Sequence, residues 1–262
     1  MKLAFVDETG LEEAFDNIEQ IAAACEEQLA DDFSRVWQDA PIPVKAYASL
    51  DEVPHDWDIV GFFQTSDDPG AAGYHAVTPD GRPYAKVFVA DTLAAGLGWL
   101  GENGVGVTAS HEALEGRKDP GANMWAESRR GFLRAFEMGD YVESRCYKKN
   151  GVYVSDFLTA QFFEPGSKGP YDFMDTVEDP DADPGPGDYE IRMDTRGQAY
   201  PVFGAEFPES KMRAKAFHAS RTARRLKLGS YGRGDHRLQG IPDEHKMAFR
   251  KMLSLAWELR GV

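Results

Sequence analysis

Ser110-His111-Glu112-Ala113-Leu114-Glu115-Gly116-Arg117-Lys118-Asp119-Pro120 is the stretch from which the rest of this chain is read. His111 and Glu115 stand four residues apart. On a helix such residues share a face, with Cβ atoms roughly 5–6 Å apart. An imidazole and a carboxylate so placed can share one metal ion. Glu112 leaves the helix about 100° further round, where it can touch a water on that ion without binding the ion. The spacing predicts a helix at about 108–118, capped by Thr108 or Ser110. Asp119-Pro120 stops it, because the residue before a proline avoids the α region. The same pattern also arises on acidic helices that bind nothing, so its surroundings decide its meaning.

The bulk properties narrow the field. A net charge of −15 argues against non-specific binding of nucleic acid or an anionic membrane and favours cationic partners. A 42% hydrophobic fraction is enough for a real core in a chain of 262 residues. The two cysteines, Cys25 and Cys146, are too few for a disulfide framework, so a reduced setting is expected. Met1 to Asp7 is too short an apolar run for a signal peptide, and no stretch reaches a membrane span.

Outward from the motif, Leu3–Val6 reads as a strand, and Thr9 with Glu12 as a capping box. Leu11, Phe15, Ile18, Ala22, Cys25, Leu29, Phe33 and Val36 recur at steps of three and four, which predicts a long amphipathic helix. Cys25 falls on its apolar stripe and is expected to be a packed thiol. Val44–Ala48 and Ile59–Phe63 read as strands, and Gly73–Thr78 with Tyr84–Val89 as a hairpin about Asp80-Gly81. A second hairpin is expected for Tyr141–Tyr147 and Val152–Phe157 around Asn150-Gly151, and a third for Tyr189–Met193 and Ala199–Phe203. Pro165 to Gly187 is rich in Pro, Gly and Asp and reads as a loop or an ordered excursion outside the core, more readily a solvated acidic loop than a calcium site, since it lacks the EF-hand spacing. The chain then turns basic from Lys211 to Arg237, and a final helix is expected over Glu244–Leu259. This divides the chain into a domain over 1–210 and a segment, 211–262, packed on it.

The motif follows the logic of the zinc helix His-Glu-x-x-His, with Glu115 in place of the second histidine. More widely, Ser110-His111-Glu112 with Glu115, Asp119-Pro120, Glu137 with Asp140, and Val154-Ser155-Asp156-Phe157 resemble a zincin-like group of phage and prophage proteins. Gly73-Tyr74-His75 with Asp80-Gly81-Arg82-Pro83-Tyr84, and Ser220-Arg221-Thr222-Ala223-Arg224-Arg225, are similar to the strand pair and basic tail of that group. The resemblance implies an α+β zincin-like fold, a small mixed sheet on helices, with an edge strand beside a metal cleft. It implies a third metal ligand downstream of the helix: Glu137 first, with Asp140 orienting a ligand or serving as one. Asp119 is a weaker alternative. It also points to Tyr84–Val89 as the edge strand, and to Tyr74, His75 and His218 as substrate contacts. Gly139 within the Glu-Met-Gly-Asp segment is expected to loosen the ligand geometry, and Gly116 to weaken the motif helix.

Two functions follow as expectations. In the first, zinc or another divalent metal is held by His111, Glu115 and Glu137 or Asp140, and Glu112 is the general base of a peptidase acting on a protein or peptide. Two carboxylate ligands leave a divalent centre neutral, which weakens Lewis acidity and widens the choice of metal. In the second, a non-catalytic zincin-like protein docks through segment 211–237 on an acidic partner, such as a phage structural protein, or on nucleic acid. The expected setting is the host cytoplasm or the virion.

Overall fold

The computed structural model describes residues 1–207 apart from 69, 79, 80 and 195, together with residue 212. The basic segment 211–237 apart from Met212, with His218, and the helix expected over 244–259 lie outside the described residues.

Before the motif, one strand and a helical stretch are followed by four strands in succession. Strand β1 (Leu3–Glu8) leads into α1 (Ala14–Glu27), a π-helical turn (Gln28–Phe33) and α2 (Ser34–Trp37). Then come β2 (Val44–Tyr47), β3 (Asp58–Phe63), β4 (Gly73–Val77) and β5 (Pro83–Phe88). These five strands form one sheet in the order β2-β1-β3-β5-β4. β1 pairs in parallel with β2 and β3, and β3 with β5, while β4 runs antiparallel to β5 at the sheet's edge. The edge strand is therefore β4. The segment Tyr84–Val89, expected at the edge, lies inside the sheet, because β3 takes the side of β5 that the hairpin leaves open.

Strand alternation sorts the side chains to two faces. Leu3, Phe5, Val60, Phe62, Ala85 and Val87 face the main core, against Ile18, Ile21 and Cys25 of α1. Ala4, Val6 and Tyr84 face the other way, onto Leu50, Val53 and Trp57. Cys25 is fully buried, as its place on the stripe predicts, and burial drives its thiol pKa far upward. Thr9 does not cap α1. Its Oγ1 accepts the Leu11 N–H in a local turn, and the helix starts five residues later, at Ala14.

The short helix α3 (Ala90–Ala94) and a glycine-bearing loop precede α4 (Val105–Lys118), the motif helix. It begins three residues earlier than expected, capped by Gly104, so Thr108 and Ser110 lie inside it. Ser110 has another task. Its Oγ accepts the Ser155 N–H at 2.7 Å and donates to Val107 O, tying α4 to the neighbouring strand. A helix with partners on several sides can bury polar groups at different angles, and His111, Glu112 and Glu115 are all buried.

The remainder adds two antiparallel sheets. β6 (Trp125–Glu127) and β7 (Leu133–Ala135) join β10 (Tyr189–Met193) and β11 (Ala199–Phe203) in the order β11-β10-β7-β6. β8 (Cys146–Lys149) and β9 (Val152–Ser155) make the hairpin predicted at Asn150-Gly151, both residues with positive φ. Its first strand is shorter than expected, since Asp140–Val142 forms a 3-10 turn. Beyond α5 (Ala160–Phe163), the Pro-, Gly- and Asp-rich segment is an ordered excursion, anchored by its acids. Asp181 pairs with Arg129 and the buried Arg134, Asp179 with Arg129 and Arg130, and Asp183 with Arg192. Its acids are matched by arginines of the sheet beside it. The architecture is α+β, and no helix among the described residues is long and apolar enough to cross a membrane.

Candidate metal centre

Four parts of the chain converge on Glu115. α4 supplies His111, Glu112 and Glu115; β4 supplies His75; the turn after β7 supplies Glu137 and Asp140; β10 supplies Tyr189. Glu115 Oε1 stands 3.1 Å from His111 Nε2, and its Oε2 stands 3.1 Å from His75 Nδ1. His111 Nε2 is 3.5 Å from Asp140 Oδ1, and His75 Nε2 is 3.6 Å from Glu137 Oε2. The donor atoms thus fall into two groups: His111, Glu115 and Asp140, and His75, Glu115 and Glu137.

These residues fit a metal ion. Donors held about 2.1 Å from an ion at the tetrahedral angle stand about 3.4 Å apart, and the 3.1 and 3.5 Å spacings from His111 Nε2 to Glu115 and Asp140 bracket that value, while one ligand atom each from His75, Glu115 and Glu137 lie within 4.8 Å of one another. His75 Nε2 and Glu112 Oε2 are buried without a hydrogen-bond partner among the described residues, a costly state for polar atoms unless something else satisfies them. Imidazole nitrogen and carboxylate oxygen suit zinc and its divalent neighbours.

The surrounding chain sets the geometry. At Gly139 an added Cβ would run into the His111 ring, and the Gly139 N–H donates to Glu115 Oε1 at 3.3 Å. The glycine expected to loosen the site is what lets the turn close on it. Gly73 plays the same part on the other side. A Cβ there would meet Glu112 Oε1 at 2.8 Å and the backbone oxygen of Lys86 at 2.9 Å. The Tyr189 hydroxyl donates to Asp140 Oδ1, holding that carboxylate toward His111.

The charges are strongly coupled. Burial lowers the His75 pKa, but the carboxylates of Glu112 and Glu115 beside its Nδ1 outweigh it and push it up to about 9. His111 is likewise raised well above the usual imidazole range, burial being overcome by the Glu115 charge and the Asp140 bond. Burial opposes ionisation of Glu115, yet the two imidazoles hold it well below the ordinary carboxylate range. Burial raises Glu112, with only partial relief from His75.

A cleft of about 460 Å³ opens over His111 and Glu112. Residues 70–73, leading into β4, form part of its rim, and Asp91, Thr108, Glu143, Glu206 and Phe207 form others. The outer edge of β4 pairs with no other strand among the described residues.

The structure thus gathers His111, Glu112, Glu115, Glu137 and Asp140, and adds His75 to them. Tyr74 lies elsewhere. Adjacent residues of a strand point to opposite faces, so its ring packs near Tyr84 on the far side of the sheet and its hydroxyl bonds Asp67. Asp119 is buried, accepting the N–H groups of Asn123 and Met124. Tyr189 carries no sequence signal, for nothing in a strand pattern names the element a phenol will reach. Comparison of the chain with protein-family models, with curated proteins and with solved structures returns no match.

Proposed function

We propose that this chain is a metal-dependent hydrolase of peptides with a zincin-like arrangement, using zinc or a related divalent ion. The observation that carries the proposal is the position of Glu112. It is a buried carboxylate whose Oε2 makes no hydrogen bond among the described residues and stands 3.6 Å from His75 Nδ1, beside a set of metal donors and at the floor of an open cleft. A divalent ion bound here supplies Lewis acidity, which polarises a carbonyl and acidifies water. His111, Glu115 and Asp140 would hold the ion, with Tyr189 and the Gly139 N–H fixing the carboxylates. Glu112 takes the proton from the attacking water and returns it to the departing amine. The free edge of β4 receives an extended peptide by strand addition, which sets a scissile bond over Glu112.

The test is the Glu112→Gln variant, which keeps shape and removes the base. Metal content should be unchanged, and cleavage of an unstructured protein such as casein should fall by on the order of 10²–10⁴-fold. Equal cleavage by variant and wild type would sink the mechanism.

A further inference from the structure

We propose that the centre holds two divalent cations bridged by Glu115, one with His111 and Asp140 and the other with His75 and Glu137. The inference rests on the metal-dependent reading above and deepens it.

Glu115 is the only residue the two donor groups share. Its carboxylate is spread between them, one oxygen at 3.1 Å from His111 Nε2 and the other at 3.1 Å from His75 Nδ1. That is the disposition of a bridging carboxylate. A single ion bound between His111 and Asp140 leaves His75, Glu137 and the second Glu115 oxygen unused. Those groups are nonetheless buried, and the His75 Nε2 and Glu112 Oε2 atoms lack hydrogen bonds. His75 presents Nδ1 to Glu115 and Nε2 to Glu137, and one ligand atom from each of the three residues lies within 4.8 Å of the others.

Charge points the same way. Glu112, Glu115 and Asp140 are carboxyl groups more than nine-tenths buried, and among the described residues the cationic groups within salt-bridge distance of them are the two imidazoles. Buried carboxylates gathered so closely favour added cations, because unmatched buried charge is strongly unfavourable. Paired ions are a recurrent device of hydrolytic sites, one beside the attacking oxygen and one beside the leaving group. The carboxylates of the donor set suit manganese and its imidazoles suit zinc.

The decisive measurement is stoichiometry on the full chain, stripped by chelation and reloaded with Mn²⁺. Two equivalents per chain are expected in elemental analysis, with the exchange-coupled electron paramagnetic resonance spectrum of a manganese pair. His75→Ala should keep one equivalent and show an uncoupled spectrum. His111→Ala should also keep one, and Glu115→Gln should bind less than one. The wild-type measurement stands even if a variant fails to fold. One equivalent in the wild type, retained by His75→Ala and lost in His111→Ala, overturns the pair and leaves the hydrolase reading intact. No tight binding of Mn²⁺ or Zn²⁺ overturns both.

Discussion

At the residue scale, Gly139 and Asp156 show how single side chains, or the lack of one, set the properties of the site and of the fold. Gly139 has φ −108°, which any residue can adopt, so its value lies in the space it leaves for His111. Gly139→Ala should therefore fold normally and bind metal on the order of 10–100-fold more weakly, as read by competition with a chromophoric chelator. Unchanged affinity would show that the imidazole has room to retreat. Asp156, away from the donor groups, is pushed up to about 8 by burial and by its hydrogen bond to Asp172. It also accepts the N–H groups of Phe157 and Met174. The folded protein thus keeps a proton that the unfolded chain loses near pH 3.9. This group's stabilisation is complete below that pH and is lost as pH rises through about 8. Over that window it contributes a slope of up to about −1.4 kcal/mol per pH unit. Asp156→Asn should flatten the fall in urea-measured stability between pH 6 and pH 8. Parallel curves for the two proteins would refute the shared proton.

At the element scale, α4 carries its chemistry because it is packed on more than one side. Ser110 ties it to β9, Glu112 meets β4 at Gly73, and Glu115 meets the turn at Gly139. The opening toward its C-terminal end is Gly116, where an added Cβ meets nothing within 4 Å. No turn or close approach requires this glycine, so it costs helix stability without a structural return. Gly116→Ala should raise the unfolding free energy by about 0.5–1 kcal/mol and leave metal content unchanged, as followed by thermal unfolding and elemental analysis. A lower melting temperature would mean that the added methyl meets something the static packing does not show.

At the scale of the whole molecule, charge and shape act together. The chain carries −15, and Asp91, Glu143 and Glu206 stand on the walls of the cleft, with no lysine or arginine among its described lining residues. Such a field concentrates cations and is screened by salt beyond about 10 Å at 0.1 M. Peptides rich in lysine or arginine should be cleaved with a higher kcat/KM than acidic peptides of matched length, and the ratio should shrink as salt rises from 20 to about 500 mM. An equal rate for both classes at low salt would remove the cleft's charge from the account of specificity.

Local patterns were legible in the sequence because they depend on near neighbours alone. The helical period placed His111, Glu112 and Glu115 on adjoining faces of one helix, and Asn150-Gly151 and the two runs about Gly197 announced their hairpins. The α+β class was implied by the resemblance of the motifs and agrees with the observed elements, and Cys25 was placed in the core by its stripe. Other features depended on which strand lies beside which. That Tyr84–Val89 is interior and β4 the edge was decided by the pairing of β5 with β3. That His75 turns toward the metal donors and Tyr74 away was decided by which face of β4 meets α4. The short strands β6 and β7 show too little alternation to be read, and they bring Tyr189 to Asp140 through their sheet. The sequence by itself determined the helix and the chemistry it can offer, since the spacing of residues on a helix is fixed by its own hydrogen bonds. Only the tertiary structure decided that Glu115 has a histidine on each side, because those partners come from separate elements whose meeting depends on how the whole core packs.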